Sequence, residues 1–198
     1  MIYTQPDFYR FNQDSFTLIR FIEESLKERE IEIESILDIG AGCGVLGIEL
    51  GKKIRDIKKV FFLEKQREFK SSFEKNIKHL GKLESEVSWT NWNEFNLKKK
   101  VDLIVSNPPY YLEESHRVSQ IKQRQICRSI SSSSMEAFFR CAFNHMHGNS
   151  LFFLCVKDWD HWISILVDFR SDFIFKIQKE KDLTLIAIEL NKKGNKII

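Results

Sequence analysis

The sequence predicts an α/β fold in which a doubly wound sheet is flanked by helices. Two observations carry this prediction. Short buried strands alternate with amphipathic helical segments along most of the chain, and two further strands follow each other directly near its end. The chain has 198 residues and no internal repeat, which is enough for one domain with a full core. We therefore expect a single domain over residues 1–198.

The strands are short apolar runs, whereas the helices carry apolar residues at helical spacing. In the first half of the chain we predict helices over 16–29, 45–55 and 67–80, and strands over 35–39, 58–63 and 87–90. In the second half we predict strands over 102–106, 151–156, 173–177 and 183–190, and helices over 135–147 and 158–169. For the helix over 135–147, we expect Ser133 and Glu136 to form a capping box at its start and Gly148 to end it.

Composition limits the classes of function. The net charge of +3 is mildly basic, which permits a nucleic-acid partner without requiring one. The four cysteines form no CxxC pair, so we expect reduced thiols and neither a zinc ribbon nor a redox dithiol. The start of the chain has no apolar signal core, and no run reaches membrane-spanning length. We expect a cytoplasmic protein that has no membrane partner and no metal site.

The stretch 102–111, DLIVSNPPYY, is the most informative part of the chain. Two consecutive prolines end the strand and place Asn107 and Tyr110 at its carboxyl end, where ligands bind in open α/β sheets. The carbonyls of Asn107 and Pro108 form a pair of fixed acceptors that suits a planar NH2 group, and the aromatic ring suits a flat substrate. The alternative interpretation is a proline-rich turn without a catalytic role.

A glycine-rich loop at 40–44 follows the first predicted strand. Its glycines allow positive φ and bring backbone N–H groups close to a ligand at a helix N-terminus. Residues 42–47 also satisfy the dinucleotide pattern G-x-G-x-x-G, but a dehydrogenase has no use for the asparagine–diproline turn. Glu64, at the tip of the second strand, is placed to accept hydrogen bonds from two ribose hydroxyls, unless it is an ordinary solvated glutamate.

The motif Asn107-Pro108-Pro109-Tyr110 resembles the catalytic motif of amino-group methyltransferases that use S-adenosylmethionine and act on adenine N6 or on a glutamine amide. Residues 38–44 resemble the cofactor loop of these enzymes. Residues 64–66 and the leading segment at 5–15 resemble the bacterial adenine-N6 methyltransferases that modify valine tRNA near the anticodon. The resemblance implies a class I, Rossmann-like sheet of seven mostly parallel strands, whose last pair includes one antiparallel member.

The resemblance also implies roles for particular residues. The catalytic residues would be Asn107, Pro108, Pro109 and Tyr110. The cofactor, S-adenosylmethionine, would be bound by Asp38, Gly40, Ala41, Gly42, Gly44, Glu64, Asn93 and Asn107. Asn93 departs from the family's aspartate, which contacts the adenine amino group, and an amide accepts without charge assistance. Residues 1–34 would lie over the cofactor, although Asp14 and Ser15 could instead be helix caps.

A basic substrate loop is expected over residues 112–134. The segment 115–135 contains no Asp or Glu. Four cations fall within it, namely Arg117, Lys122, Arg124 and Arg128. Such a segment beside the catalytic turn could grip a phosphate backbone, although a solvated loop is the alternative. Tyr110 and Tyr111 would contact the substrate base.

The function expected from the resemblance is methylation of an adenosine N6 amino group in RNA, with tRNA as the favoured substrate. One alternative is a protein glutamine methyltransferase of the release-factor type. Bacterial members carry an N-terminal helical bundle, whereas only about 34 residues precede the first strand here. The other alternative is a non-catalytic relic that binds cofactor or RNA, which Asn93 would favour.

Overall fold

A computed structural model describes residues 2–9, 11, 13–27, 29–112, 123, 126, 127, 129–157, 159–169 and 172–191. The helices are α1 (Gln13–Lys27), α2 (Val45–Lys53), α3 (Lys70–Asn76), α4 (Ser132–Asn144) and α5 (Trp159–Leu166). The strands are β1 (Ser35–Ile39), β2 (Lys59–Leu63), β3 (Glu84–Ser88), β4 (Val101–Ser106), β5 (Tyr111–Leu112), β6 (Ser129–Ile130), β7 (Met146–Val156), β8 (Phe173–Glu180) and β9 (Leu183–Leu190). Short 3₁₀ turns cover Arg67–Phe69, Ile77–Leu80 and Val167–Phe169.

Seven strands form one sheet in the order β3-β2-β1-β4-β7-β9-β8, and β5 pairs with β6 separately. Strands β3, β2, β1, β4 and β7 are parallel, while β9 runs antiparallel to both β7 and β8. This arrangement confirms the predicted doubly wound fold, including the single antiparallel member of the last strand pair. Within the described ranges, no helix is long and apolar enough to cross a membrane.

The sheet separates two apolar layers, because successive residues of a strand face opposite sides. Ile36 and Leu103 point to the side covered by α1, α2 and α3. Leu37 and Ile104 point to the side covered by α4 and α5. Helices on both faces explain why the central strands are apolar runs rather than alternating patterns.

The carboxyl ends of β1, β2 and β4 meet at one edge of the sheet. Ile39 at the end of β1 lies opposite Leu63 at the end of β2, and the backbone N–H of Gly40 donates to the Leu63 carbonyl at 2.8 Å. Strand order reverses between β1 and β4, so this edge has the topological switch point at which open α/β sheets bind ligands.

The prediction that Gly148 ends a helix was wrong. Helix α4 ends at Asn144, and Gly148 lies inside β7. The reason is pairing across the sheet: the Val101 N–H donates to the His145 carbonyl at 2.9 Å, and Val101 lies opposite Met146. Strand contacts therefore begin immediately after the helix.

The capping box at Ser133 was also misplaced. Ser131 is the N-cap of α4, and its Oγ accepts from the Ser134 N–H at 3.3 Å. Glu136 instead forms an ion pair with Arg140 one turn later. Four consecutive serines offer several equivalent caps, so the local pattern could not select the first.

The third strand, predicted over 87–90, spans 84–88. Its first three residues are exposed at the edge of the sheet and have no apolar pattern, which concealed them. Pairing with β2 fixes their position, because Lys59 lies opposite Glu84 and Leu63 opposite Ser88. The strand therefore ends two residues earlier than predicted, and this difference affects the site described next.

Candidate active site

The loop between β1 and α2 has the backbone that its glycines predict. Gly40, Gly42 and Gly44 have φ values of 73°, 53° and 81°, which favour glycine strongly. A Cβ on Gly44 would lie 2.9 Å from the Phe73 ring. A Cβ on Gly40 would meet nothing within 4 Å, so the chain beside Gly40 faces open space that a ligand can approach.

Asp38 is buried beneath this loop and accepts a hydrogen bond from the Gly47 N–H at 2.9 Å. The approach is close, because a Cβ on Gly47 would lie 2.6 Å from the Phe62 ring. Burial raises the pKa of Asp38 from 3.8 to about 7; the Gly47 hydrogen bond opposes this effect, and the nearby Glu64 adds to it. Near neutral pH, Asp38 is therefore partly protonated, and a cationic ligand beside it would favour its ionised form.

Glu64 is only 5% exposed, which excludes an ordinary solvated glutamate. Its two carboxylate oxygens accept from the backbone N–H groups of Gly42 at 2.8 Å and Gln66 at 2.7 Å. Burial raises the pKa of Glu64, although these two hydrogen bonds oppose the rise. A carboxylate has about four acceptor positions, so Glu64 can still accept from ligand hydroxyls.

Two cavities lie along the carboxyl edge of the sheet, and both are lined by Tyr9, Gly40 and Asn107. The first encloses about 510 Å³, part of it open to solvent, and extends past Glu64. The second encloses about 320 Å³ and extends past Asp38. A ligand that reaches both carboxylates would therefore pass Asn107.

Asn107 follows β4 directly, and both the nitrogen and the oxygen of its side-chain amide make hydrogen bonds. The Nδ2 group donates to the Ser15 Oγ at 2.9 Å. The Oδ1 atom accepts from the Tyr110 hydroxyl at 2.5 Å and from the Cys155 thiol at 3.3 Å. The predicted catalytic asparagine thus lies beside the glycine loop, but hydrogen bonds within the protein occupy its acceptor.

Tyr110 also contacts helix α1, since its hydroxyl lies 2.9 Å from Asp14 Oδ2. Burial raises the pKa of Tyr110 far above its usual range, and Cys155 and Asp14 add to the rise. The Lys157 ammonium lies 5.5 Å from the centre of the Tyr110 ring and 3.6 Å from Asp14 Oδ2. Tyr111 meets Tyr110 edge to face, with the ring centres 6.4 Å apart.

Asn93, the expected contact for the adenine amino group, is exposed and lines neither cavity. The first cavity is lined instead by Thr90 and Trp92. Between them, the Asn91 Oδ1 is buried and has no hydrogen-bond partner in the described part of the chain. Because β3 ends at Ser88, two residues earlier than predicted, the same offset from the strand end leads to Asn91.

Gln66 and Tyr9 were missed as site residues by the sequence argument. Gln66 is 7% exposed and lines the first cavity, and its Nε2 donates to the Cys127 sulfur at 3.2 Å. Its Oε1 is buried without a partner among the described residues. Tyr9 packs edge to face on Phe69, with the ring centres 5.2 Å apart. The resemblance places residues 1–34 over the cofactor, but the segment around Tyr9 has no periodicity, so the sequence did not single out Tyr9 itself.

The four cations of the expected substrate loop, Arg117, Lys122, Arg124 and Arg128, lie outside the described residues. Ile126 and Cys127, which belong to the same segment, line the first cavity. In the ranges that the structure covers, no cluster of His, Cys, Asp or Glu is arranged to hold a metal ion.

Comparison with known families identifies the type of protein. The model of the family described as "Methyltransferase small domain" matches residues 13–132, more than half of the chain. The chain belongs to this family. Among curated proteins, none matches the sequence at a significant level.

Solved structures share the fold. A ribosomal protein L11 methylase from Lactobacillus delbrueckii subsp. bulgaricus has a TM-score of 0.65 at 15% identity, over 90% of this chain and 80% of that one. An rRNA methylase from Streptococcus thermophilus has a TM-score of 0.61 at 10% identity, over 87% and 95%. A 16S rRNA N2 methyltransferase from T. thermophilus, in complex with AdoMet and guanosine, has a TM-score of 0.63 at 18% identity, over 91% and 43%.

Family and fold imply S-adenosylmethionine as the cofactor, and the residues present fit it. Glu64 offers acceptors for two ribose hydroxyls, and the open space beside Gly40 admits a ligand next to the backbone. Gln66, which lines the first cavity, holds a buried acceptor without a partner in the described residues, and a donor from the ligand would satisfy it. Asp38 offers a carboxyl group for a cationic end.

Proposed function

We propose that this methyltransferase acts on the N6 amino group of an adenosine in RNA, and we favour tRNA as the substrate. The observation that carries the proposal is the position of Asn107. It directly follows β4 at the switch point of the sheet and lines both cavities together with Gly40. The diproline corner that follows would present oxygen acceptors to a planar NH2 group beside the cofactor; Pro109 lines the first cavity and Pro108 is buried.

The chemistry follows from the weakness of the nucleophile. The lone pair of the adenine amino nitrogen is delocalised into the ring, so the amine must be oriented before it reacts. Asn107 Oδ1 and the Pro108 carbonyl would each accept one N–H and direct the lone pair toward the cofactor, which supplies the methyl group. Orientation and fixed dipoles in a site with little water are sufficient, and no strong base is required.

The remaining site residues bind the reactants. Asp38, Glu64 and the glycine loop would hold the cofactor, and Tyr110 and Tyr111 would contact the flat base. The base must be unpaired or flipped out to reach such a site. Two structures of similar fold carry rRNA methyltransferase names, which supports an RNA substrate for this chain.

The experiment is mass spectrometry of nucleosides from tRNA of cells with the gene deleted and restored. We expect N6-methyladenosine to fall on deletion and to return with the wild-type gene, but not with Asn107→Ala. Purified protein with labelled S-adenosylmethionine should methylate RNA from the deletion strain. An unchanged nucleoside profile together with no transfer in vitro would refute the proposal.

The same pair of acceptors would also hold a glutamine amide, because an amide NH2 presents the same two donors. A parallel assay with release factors in place of RNA separates the two substrates. Methyl transfer to the protein and not to RNA would establish the glutamine alternative. Calorimetry showing no binding of S-adenosylmethionine would instead favour a relic of the fold.

A further inference from the structure

We propose that Asp14 and Ser15, at the start of α1, are positioning residues that control which atom of Asn107 is available to the substrate amine. This inference rests on the proposed function, since it concerns how Asn107 accepts an N–H. Helix α1 begins at Gln13, so Asp14 and Ser15 lie within its first turn rather than at the N-cap, and their side chains contact Tyr110 and Asn107.

The hydrogen bonds of Asn107 define the problem. A carbonyl oxygen has two lone pairs, and Oδ1 already accepts from the Tyr110 hydroxyl and the Cys155 thiol. A substrate amine can therefore be held only after one of these donors has left. The thiol is the weaker donor, but Cys155 is fully buried, whereas the Tyr110 hydroxyl has a second acceptor within reach.

Asp14 provides that second acceptor. The Tyr110 hydroxyl has one proton and two acceptors, Asn107 Oδ1 at 2.5 Å and Asp14 Oδ2 at 2.9 Å. Lys157 Nζ lies 3.6 Å from the same carboxylate oxygen. A carboxylate is a stronger acceptor than an amide, so the hydroxyl can turn to Asp14 without losing a hydrogen bond. This turn frees one lone pair of Oδ1 for the substrate.

Ser15 fixes the direction of the amide. Its hydroxyl is buried and accepts from Nδ2 at 2.9 Å, which holds Oδ1 on the opposite side. Without this acceptor the amide could rotate by half a turn and present a donor where the substrate needs an acceptor. Ser15 also lines the second cavity beside Asn107, so its hydroxyl lies within the site.

The first test compares Ser15→Ala, Ser15→Thr and Ser25→Ala. Ser25 is a matched control, since it is a buried serine in the same helix and lines neither cavity. The probe is tRNA-sized RNA from the deletion strain, with saturating S-adenosylmethionine. We expect Ser15→Ala to lower the single-turnover rate about five- to tenfold, as the loss of one uncharged hydrogen bond implies. Threonine should restore the rate, and Ser25→Ala should not change it.

A second readout needs no activity. In ¹⁵N-labelled ligand-free protein, the Asn107 side-chain N–H signals should be protected from exchange in the wild type and in Ser15→Thr. In Ser15→Ala, the exchange rate of these N–H groups should rise at least tenfold. Equal protection in the wild type and Ser15→Ala would overturn the role of Ser15, even if the wild type methylates no RNA. Inactivity of the wild type alone would count against the proposed function.

The role of Asp14 is tested by a double-mutant cycle with Tyr110→Phe, which removes the competing hydroxyl. We expect Asp14→Asn to slow the single-turnover reaction about five- to tenfold in the wild-type background and not at all in Tyr110→Phe. A purely structural role for Asp14 would slow both backgrounds equally, and that result would overturn the proposal.

Discussion

Carboxylates lie at both the amino and the carboxyl ends of the parallel strands. The two groups differ in how many of their hydrogen-bond partners the protein itself supplies. At the amino end, Asp102 Oδ2 accepts from the N–H groups of Glu34 at 3.1 Å and Ser35 at 2.9 Å, and from the Ser35 hydroxyl at 2.6 Å. Its Oδ1 lies 2.9 Å from His147 Nε2. Burial acts to raise the pKa of Asp102, but these hydrogen bonds together lower it.

At the carboxyl end the partners are incomplete. Asp38 has a raised pKa, and Gln66 and Asn91 each keep a buried oxygen without a partner in the described chain. An unsatisfied buried acceptor costs free energy, so the Gln66 oxygen beside the first cavity indicates a group that a ligand completes. The comparison teaches that the satisfied network supports the fold, and that the unsatisfied one belongs to the site.

The largest expected effect is at Asn107. We predict that Asn107→Ala lowers the single-turnover rate of methyl transfer by roughly 10²–10³-fold, because one transition-state hydrogen-bonding group is lost. Rate measurements with RNA from the deletion strain test this, with Asn96→Ala, an exposed asparagine, as the control. The change also removes hydrogen-bond partners of Ser15, Tyr110 and Cys155, so thermal unfolding must show that the variant is folded at the assay temperature. A variant that keeps the full rate would remove Asn107 from the mechanism.

The second effect is a pH dependence of cofactor binding. The cofactor carries a sulfonium and an ammonium, so it favours the ionised form of Asp38, whose pKa is raised to about 7. Binding should release a proton below that pH, and affinity should rise up to about tenfold per pH unit until pH 7 and then level off. Calorimetry from pH 5.5 to 8 should show this slope, and Asp38→Asn should flatten it.

The same raised pKa has a consequence for stability. Between about pH 4 and pH 7 the folded protein keeps the Asp38 proton that the unfolded chain has lost. This contribution to the free energy of unfolding therefore falls as pH rises through that range. Urea unfolding of the ligand-free protein from about pH 4 to pH 7 measures this fall, and Asp38→Asn should remove it. The same pH dependence in the wild type and Asp38→Asn would show that Asp38 does not have the raised pKa.

The motifs predicted much of the site because their effect is local. The two prolines end β4 whatever packs around them, and the glycines of the loop require positive φ. Gln66 could not be found in this way, because its place in the site depends on tertiary contacts such as that of its Nε2 with Cys127, 61 residues away. Asn91 was missed because edge-strand pairing, rather than an apolar pattern, sets where β3 ends.

The third effect tests the satisfied network. We predict that Asp102→Ala lowers the free energy of unfolding by about 1–2 kcal/mol, because the half-buried N–H groups of Glu34 and Ser35 at the start of β1 lose their acceptor. Urea unfolding measures this loss, while cofactor affinity should remain within twofold of the wild type. If Asp102→Ala instead weakened cofactor binding strongly and left the free energy of unfolding unchanged, the Asp102 network would belong to the site and not to the fold.

The smallest effect is expected for Gln66→Leu, which should weaken ligand binding without lowering the stability of the ligand-free protein. Gln66→Leu removes the buried Oε1 that has no partner among the described residues, so the ligand-free protein should be as stable as the wild type or slightly more stable. The same change removes an acceptor from the first cavity, so the Kd of S-adenosylhomocysteine should rise about five- to tenfold. Urea unfolding and calorimetry on one preparation give both quantities. Lower stability with unchanged affinity would mean that Gln66 supports the fold, as Asp102 does, and does not bind the cofactor.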